Sequence, residues 1–579
     1  MSKIKHRPEI DGLRAIAVLS VVFFHAGLGF AGGYVGVDVF FVISGFLITS
    51  LILSEMDGGT FGILDFWERR VRRILPALAL VVVACIAAGW LMFIPTDFKK
   101  LGESVAAQSL LKSNLYFWRN TEYFTSNDAQ PLLNTWTLAV EEQFYLLFPL
   151  FLLAMRRLGR RAIVGTMGVA ALASLALSIR GTYADPNAAF YLLAYRAWEL
   201  LLGSLLAALP EWRIPGKGLN ECLSWGGLLA ILGAAWFYDS DTRFPGAAAL
   251  LPCLGAGLFI GTNAPGRTLA GRILSLKPVV FVGLISYSLY LWHWPVLIFS
   301  KYWALKPLSP YALAGALVGS LLLAIISWKF VETPFRRRLV LRGRVRIFAF
   351  GGCTLAALLL AGRLIEHEQG FRSRWGAAAL QYIDGRKDQD YRIELDLAAA
   401  RRGQFTGIGV GDAHRPIDWF IWGDSHAMAL LHVLNVICSE ADVRAVAATH
   451  SATAPLLNYP STSTYALKGD AMAYNQAIVE FIRKRKIRNV LLVGAWSGYL
   501  PANSNQSARD RFSRSLAETL AALRRTGAKV FIMKDVPIQP FDVPRALALA
   551  VRRKVDISKL GTSESEYNAR NGYEPRFRS

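Results

Sequence analysis

About eleven apolar runs, each close to the length of a bilayer's hydrocarbon core, constrain this chain more than any other feature in it. They lie near residues 14–31, 35–54, 75–94, 137–155, 162–180, 191–209, 222–238, 247–262, 279–299, 310–329 and 346–364, those near 222 and 247 being the shortest. In lipid such a run must be helical, because only a helix satisfies its own backbone hydrogen bonds there. A hydrophobic content of 53% and a mean hydropathy of +0.33 over 579 residues agree with a polytopic membrane protein and disagree with one soluble domain.

The formal charge is +22, from 64 basic and 42 acidic residues, which could suggest nucleic acid until the charges are located. With Met1 in the cytoplasm, the inner connections hold RRVRR (69–73), RRLGRR (156–161), Arg213 with Lys217, Arg267 with Arg272 and Lys277, and the cluster from Lys329 to Arg346. That makes roughly 24 basic residues inside against about 8 in the outer loops. Orientation and anionic headgroups account for most of these clusters, so nucleic acid is not a partner. The basic start followed by an apolar run resembles the opening of a signal peptide. A second run follows at once with no clear small-residue cleavage site, which predicts a retained anchor.

An odd number of spans places everything after about Arg363 outside the cytoplasm. Residues 366–415 are polar and weakly periodic and read as a linker. Beyond them, IDWFIWG (417–423), NVLLVGAW (489–496) and KVFIMKD (529–535) read as buried strands, separated by helical stretches near 426–439, 468–486 and 508–526. This alternation predicts βαβ units and a parallel sheet, with GDSH (423–426) at the C-terminal end of the first strand, where such sheets carry function. The five cysteines (Cys85, Cys222, Cys253, Cys353, Cys438) show neither metal-ligand spacing nor a disulfide framework and read as small buried residues.

Within the spans, titratable groups stand out because lipid disfavours them. His25 lies in the first run, eleven residues after Arg14, which puts both on nearly the same helix face roughly 16 Å apart along the axis. Asp38 opens the second run, Glu142 lies about one turn into the fourth, and His293 falls near the outer end of its span. The four are expected to surround one polar cavity, where carboxylates would orient imidazole and raise its basicity. The alternative is a hydrogen-bond knot that only holds the bundle together. In RRVRR, Arg69 with Arg72 and Arg70 with Arg73 are each spaced i,i+3, so either pair could grip phosphate at the inner surface, where Arg14 should also reach.

The strings PEIDGLRAIAVLSVVFFHA, GGYVGVDVFFVISGFLI, FWERRVRRILPAL, NTWTLAVEEQFYLLFPL, ISYSLYLWHWP and FVETPFR run in order from about Arg7 to Arg338. Together they resemble the acyltransferase-three family of bacterial membrane acyltransferases. The tail resembles the SGNH-hydrolase-like domain fused to one branch of that family, whose members O-acylate cell-envelope glycans. The resemblance implies that Arg14, Arg69, Arg70, Arg72 and Arg73 bind the acyl-coenzyme donor at the cytoplasmic face. It implies that His25 is the catalytic base or acyl relay and that Asp38, Ser44, Gly45, Glu141 and Glu142, which fall in the motif strings, support it; from their depth in the spans Glu142 is expected to be catalytic beside His25 and His293 to support them.

In the SGNH pattern Ser425 would be the nucleophile, with Gly423 and Asp424 supporting it, and its own N–H, a glycine and often an asparagine would form the oxyanion hole. The bland reading of GDSH is a helix start with Asp424 or Ser425 as N-cap. Two departures stand against the pattern. VGAWSGYL (493–500) holds no asparagine, and no histidine follows Asp535, so an Asp-x-x-His is missing. His426, His432 and His450 do not fit that role by spacing.

The expected architecture is therefore a polytopic α-helical membrane domain (1–340), a linking transmembrane helix (341–365), a periplasmic linker (366–415) and an α/β SGNH-like domain (416–579) that reads as C-terminally incomplete. The expected function is transfer of an acyl group, acetyl in the first instance, from cytoplasmic acetyl-CoA across the bacterial inner membrane to a polysaccharide hydroxyl. No permanently bound cofactor or metal is expected. Lipopolysaccharide O-antigen is favoured by resemblance. The alternatives are peptidoglycan or exopolysaccharide with a non-catalytic outer glycan-holding domain and, more distantly, a transporter.

Overall fold

The computed structural model describes residues 6–121, 129–210, 216–263, 268–304, 308–385, 390–412, 414–461, 463, 465–500, 506–535, 539 and 541–571. Arg213 and Arg267 of the expected inner connections lie outside them. The chain divides into two compact units, Met1–Arg374 and Trp375–Ser579.

Each of the expected runs forms a helix in the first unit. Among the described residues, seven helical stretches are long and apolar enough to cross a membrane: Gly33–Asp57, Ile63–Met92, Leu133–Ala184, Pro186–Ala208, Lys277–Ala304, Pro310–Arg336 and Arg344–His367. The Leu133–Ala184 stretch contains two of the runs, as helices Trp136–Met155 and Gly159–Ala184. The remaining three are helices Pro8–Ala26, Lys217–Phe237 and Leu250–Thr262. The first of these carries Glu9, Asp11 and Arg14, and the last is only 13 residues long. Leu147, Val169, Leu172, Phe237 and Leu360 point outward with more than half their surface uncovered, which suits a lipid-facing wall.

Backbones approach closely where glycine allows it. A Cβ on Gly45 would sit 1.8 Å from the Leu200 carbonyl oxygen, and one on Gly203 would sit 2.0 Å from that of Val42. The Gly36–Asp57 and Leu193–Ala208 helices therefore pack through reciprocal glycines, the small-residue contact that lipid-embedded helices use. Arg344–His367 is no free linker. It packs on a buried helix absent from the sequence reading, Pro95–Ser109, where a Cβ on Gly102 would meet Ile365 at 2.7 Å.

The second unit holds a five-stranded sheet of β1 (Thr406–Gly409), β2 (Trp419–Gly423), β3 (Arg444–Thr449), β4 (Asn489–Val493) and β5 (Lys529–Ile532), in the order β1-β3-β2-β4-β5. Only the β1–β3 pair is antiparallel. Side chains alternate between the faces: Phe420, Trp422, Val490 and Leu492 join one apolar cluster, while Ile421, Ala445, Ala447 and Val493 join the other. Both faces are covered, so the strands read as continuous apolar runs. The linker expected over 366–415 is corrected here. β1 is an edge strand of this sheet, and the Leu397–Arg402 helix buries Ala400 in its core. Its signal was weak because the strand is four residues long and half glycine. β3 was also missed, its alanine-rich sequence lacking a strong strand pattern.

The chain adds β3 on one side of β2 and then β4 on the other. The C-terminal end of β2 thus lies at the point where strand order reverses, where ligands bind in open α/β sheets.

Candidate functional site

Of the four titratable groups expected around one cavity, the first unit joins two. His25 Nδ1 lies 3.0 Å from His293 Nε2, and the His293 Nδ1 lies 3.1 Å from the Leu289 carbonyl oxygen. A carbonyl only accepts, so Nδ1 of His293 carries hydrogen and, with both rings neutral, Nε2 accepts from His25 Nδ1–H. That assigns the lone pair of His25 to Nε2, the state of a general base. The rings are stacked with centroids 5.3 Å apart, and Trp294 lies 4.5 Å from His25 on another side.

Asp38 is elsewhere, which corrects the single-cavity expectation. It forms a wholly buried ion pair with Arg196 at 3.1 Å, and Arg196 reaches Glu199 at 2.9 Å. The guanidinium lies 5.5 to 5.8 Å from the rings of Phe41, Trp136, Phe190 and Phe244. The signal was present as two charges at i,i+3 inside the apolar run 191–209, and these outcompete His25 for Asp38. With Cys253, the two carboxylates form the group of potential metal donors within 4.8 Å among the described residues. Arg196 already supplies a cation there.

A cavity of about 90 Å³ is lined by Arg14, Arg70 and Arg73, together with Ser44, Thr137, Glu141, Tyr145, Tyr287 and Tyr290. Ser44 Oγ donates to Glu141 Oε1 at 2.6 Å. The arginine motif thus splits by helix face. Arg70 and Arg73 line the cavity, whereas Arg72 is buried and spends its donors on Glu68 (2.9 Å) and on the carbonyls of Val340, Leu341 and Arg342. Arg69 pairs with Glu55 at 2.8 Å. Of the four arginines expected to grip the donor, Arg70 and Arg73 line the cavity, Arg72 is committed to Glu68 and the 340–342 carbonyls, and Arg69 does not line the cavity and pairs with Glu55.

Glu142, placed beside His25 by the sequence reading, is instead near enough to Arg70 to interact electrostatically, and its neighbour Glu141 lines the cavity. Gly45 serves the helix crossing described above and does not line it. Tyr290 bridges the two places: its hydroxyl meets Thr137 Oγ1 at 2.9 Å and its ring lies 5.6 Å from that of His293. Sequence reasoning also missed Glu332, buried in a π-helical turn (Trp328–Glu332) and accepting from Ser288 Oγ at 3.0 Å. Within FVETPFR no periodicity singles this glutamate out, and π turns often mark functional positions.

In the second unit Asp424 is buried and caps the Ser425–Glu440 helix, its Oδ1 accepting from His426 N at 2.8 Å. Its Oδ2 accepts from Ala495 N at 2.8 Å and from the Tyr499 hydroxyl at 2.6 Å, tying β2 to the loop after β4. A Cβ on Gly423 would meet the Val493 carbonyl oxygen at 2.1 Å, so the first position of GDSH must be glycine for the strands to close. Ser425 is exposed.

Where the asparagine was sought, Ser497 stands. Its N–H and Oγ donate to Asp535 Oδ2 at 2.8 and 2.6 Å. His426, expected to point away, turns its Nδ1 to within 3.1 Å of Asp535 Oδ1. The imidazole Nδ1 of His450 is instead 3.0 Å from the Leu395 carbonyl oxygen, and His432 packs against Tyr391. The Asp535 carboxylate, 3.1 Å away, raises the His426 pKa above its ordinary value, against the opposing effect of burial. Burial pushes Asp535 up, but the nearby His426 and the two hydrogen bonds from Ser497 outweigh it and hold the carboxyl below the ordinary value. Burial and the nearby Asp424 carboxylate push the Tyr499 phenol up.

A bundle of membrane-length helices with arginines and paired histidines inside it, followed by an α/β unit with GDSH at its switch point, defines a membrane acyltransferase with a fused SGNH domain. The acyltransferase domain family profile matches residues 7–329, and that of the SGNH domain fused to such domains matches 394–578. The chain belongs to this family of multi-pass membrane acyltransferases. It is 33% identical over 349 residues to the O-acetyltransferase OatA of Staphylococcus aureus (strain NCTC 8325 / PS 47), which covers 58% of each chain. It is 32% identical over 355 residues to the peptidoglycan O-acetyltransferase OatA of Listeria monocytogenes serovar 1/2a, covering 58% of this chain and 56% of that one. The chain thus spans little more than half the length of these relatives. No solved structure matches it.

Proposed function

We propose that the protein is an envelope O-acetyltransferase that takes acetyl from cytoplasmic acetyl-CoA and delivers it to a hydroxyl of peptidoglycan. The observation that carries this reading is the convergence of Arg14, Arg70 and Arg73 on one cavity, joined through Tyr290 to a histidine pair whose tautomer leaves a base at His25 Nε2. Three guanidiniums on one cavity, Arg14 among them also holding Asp11 at 3.2 Å, suit a phosphorylated donor. The N-terminus is cytoplasmic and the second unit external, as the charge asymmetry of the loops supports.

Peptidoglycan replaces the lipopolysaccharide favoured by the sequence reading because a named relative acts on peptidoglycan. The test is transfer of labelled acetyl from acetyl-CoA to a glycan acceptor by the purified full-length protein. Loss of transfer in His25→Ala, with normal membrane insertion, is expected. Normal transfer in that variant would defeat the assignment, and labelled lipopolysaccharide with unlabelled peptidoglycan would replace the acceptor.

In the second unit Ser425 takes the acyl group and passes it to the sugar. A reading in which this unit only holds glycan is favoured by one observation: Ser425 Oγ makes no hydrogen bond among the described residues. Unchanged transfer in Ser425→Ala would select that reading.

A further inference from the structure

A second cavity, of about 470 Å³, lies at the C-terminal ends of the Gly36–Asp57 and Trp136–Met155 helices, on the side of the membrane where the loop charges put Met1. It is lined by Met56, Asp57 and Phe61, from the end of the first helix and the turn after it, and by Arg156, Arg157 and Arg160, which follow the second. Arg160 is committed: its Nε donates to the Ala208 carbonyl oxygen at 2.9 Å and its Nη1 reaches Asp57 at 3.3 Å. The side chains of Arg156 and Arg157 have no hydrogen-bond or ion-pair partner among the described residues. Membrane orientation needs basic residues on this side; it does not need two unpaired guanidiniums, an aromatic ring and a thioether around one concavity.

This cavity continues the arginine cavity along two helices. Ile48 lines the first and Leu53 the second, about 7.5 Å apart along one helix axis, and Tyr145 and Leu153 do the same about 12 Å apart along the other. Acetyl-CoA carries phosphate in two places, the pyrophosphate and the ribose 3′-phosphate, which the ribose holds roughly 7 Å apart. With the pyrophosphate on Arg14, Arg70 and Arg73, the pantetheine arm, roughly 15 Å long when extended, reaches towards His25, about 16 Å from Arg14 along their helix. The 3′-phosphate then falls at the second cavity.

We propose that this cavity binds the adenosine 3′-phosphate end of acetyl-CoA. Arg156 and Arg157 take the terminal oxygens of the 3′-phosphate, which guanidinium forks match, and the adenine lies against Phe61 and Met56. The proposal rests on the reading that acetyl-CoA is the donor.

The test compares acetyl-CoA with acetyl-3′-dephospho-CoA, which has the same thioester, arm and pyrophosphate and lacks only that phosphate. Transfer of acetyl from each to a glycan acceptor is measured with the purified full-length protein in detergent. Wild type is expected to use acetyl-CoA with a kcat/KM about 10-fold higher or more, expressed in KM, because charged hydrogen bonds to the phosphate are lost with it. In the double variant Arg156→Gln with Arg157→Gln that preference is expected to fall to within twofold, at wild-type melting temperature. Arg157→Gln alone, expected to lose part of the preference, serves if the double variant melts early. Equal use of the two donors by wild type overturns the subsite and leaves the donor reading intact. A preference that survives in both variants overturns the assignment to these arginines. An equal loss of rate with both donors, seen in proteoliposomes containing phosphatidylglycerol and absent in detergent, makes the cavity a lipid-headgroup site and overturns the proposal. Transfer from neither donor by wild type overturns the donor reading and this subsite with it.

Discussion

His25 Nδ1 lies 3.0 Å from His293 Nε2, and the carbonyl behind His293 sets which nitrogen of His25 holds the lone pair. Two rings 268 residues apart in sequence thereby act as one unit. His293→Ala is expected to lower the rate of acetyl transfer by about 10²-fold while leaving KM for acetyl-CoA near wild type, since the tautomer is lost and the donor contacts are not. Steady-state kinetics in detergent check this, and a rise in KM with unchanged kcat goes against it.

The split within RRVRR separates two phenotypes. Arg70→Gln and Arg73→Gln should raise KM for acetyl-CoA with little change in melting temperature, because both line the cavity. Arg72→Gln should do the reverse, leaving Glu68 buried without its closest partner at a cost of about 3–5 kcal/mol, discounted because Arg338 and Arg344 also approach that carboxylate. Melting and KM measured on the same preparations separate the two.

Arg196 approaches two buried carboxyl groups, Asp38 and Glu199. Arg196→Met is expected to destabilise the membrane unit by about 3–5 kcal/mol, whereas the double variant Asp38→Asn with Arg196→Met should recover part of the loss. Thermal unfolding in detergent reads both; equal stability of wild type and Arg196→Met would remove this cluster from the account.

Gly45→Ala should also destabilise, by about 1–3 kcal/mol, since the added methyl meets the Leu200 carbonyl oxygen and the Leu193–Ala208 helix must move. Wild-type melting in this variant would show that the crossing yields freely.

The His426–Asp535 pair makes the second unit pH-dependent. The raised pKa of His426 gives stability that is complete below its ordinary value of 6.5 and is lost as pH rises through the higher folded value. The lowered pKa of Asp535 gives stability that is complete above its ordinary value of 3.8 and is lost as pH falls through the lower folded value. The pair therefore stabilises most between about pH 4 and pH 6.5. Hydrogen exchange of the full-length protein should show residues 424–440 better protected at pH 5.5 than at pH 8, relative to Asp535→Asn. An equal difference in the variant would assign the effect to other groups.

Much of this molecule is written in local sequence. An apolar run of bilayer length has one backbone solution in lipid, so the apolar runs were legible as helices from hydropathy alone, though the Pro95–Ser109 helix was not, and the motif strings resembled the family's. GDSH after an apolar run placed a functional loop at a strand end. Short elements such as β1 and β3 escaped because pairing, not propensity, makes them strands.

What tertiary structure decided is which polar groups meet. The i,i+3 spacing offered both arginine pairs equally, and only the packing of residues 340–342 against Arg72 committed one of them to structure. Depth in the membrane grouped Asp38 with His25, yet depth leaves the angle around the helix axis undetermined, and that angle sends Asp38 to Arg196. Sequence left His426 without a neighbour, because Asp535 lies 109 residues on and comes within 3.1 Å of it only through the order of the strands. Sequence sets the period and burial of each element; the partners of a side chain depend on rotations and crossings that no local pattern encodes.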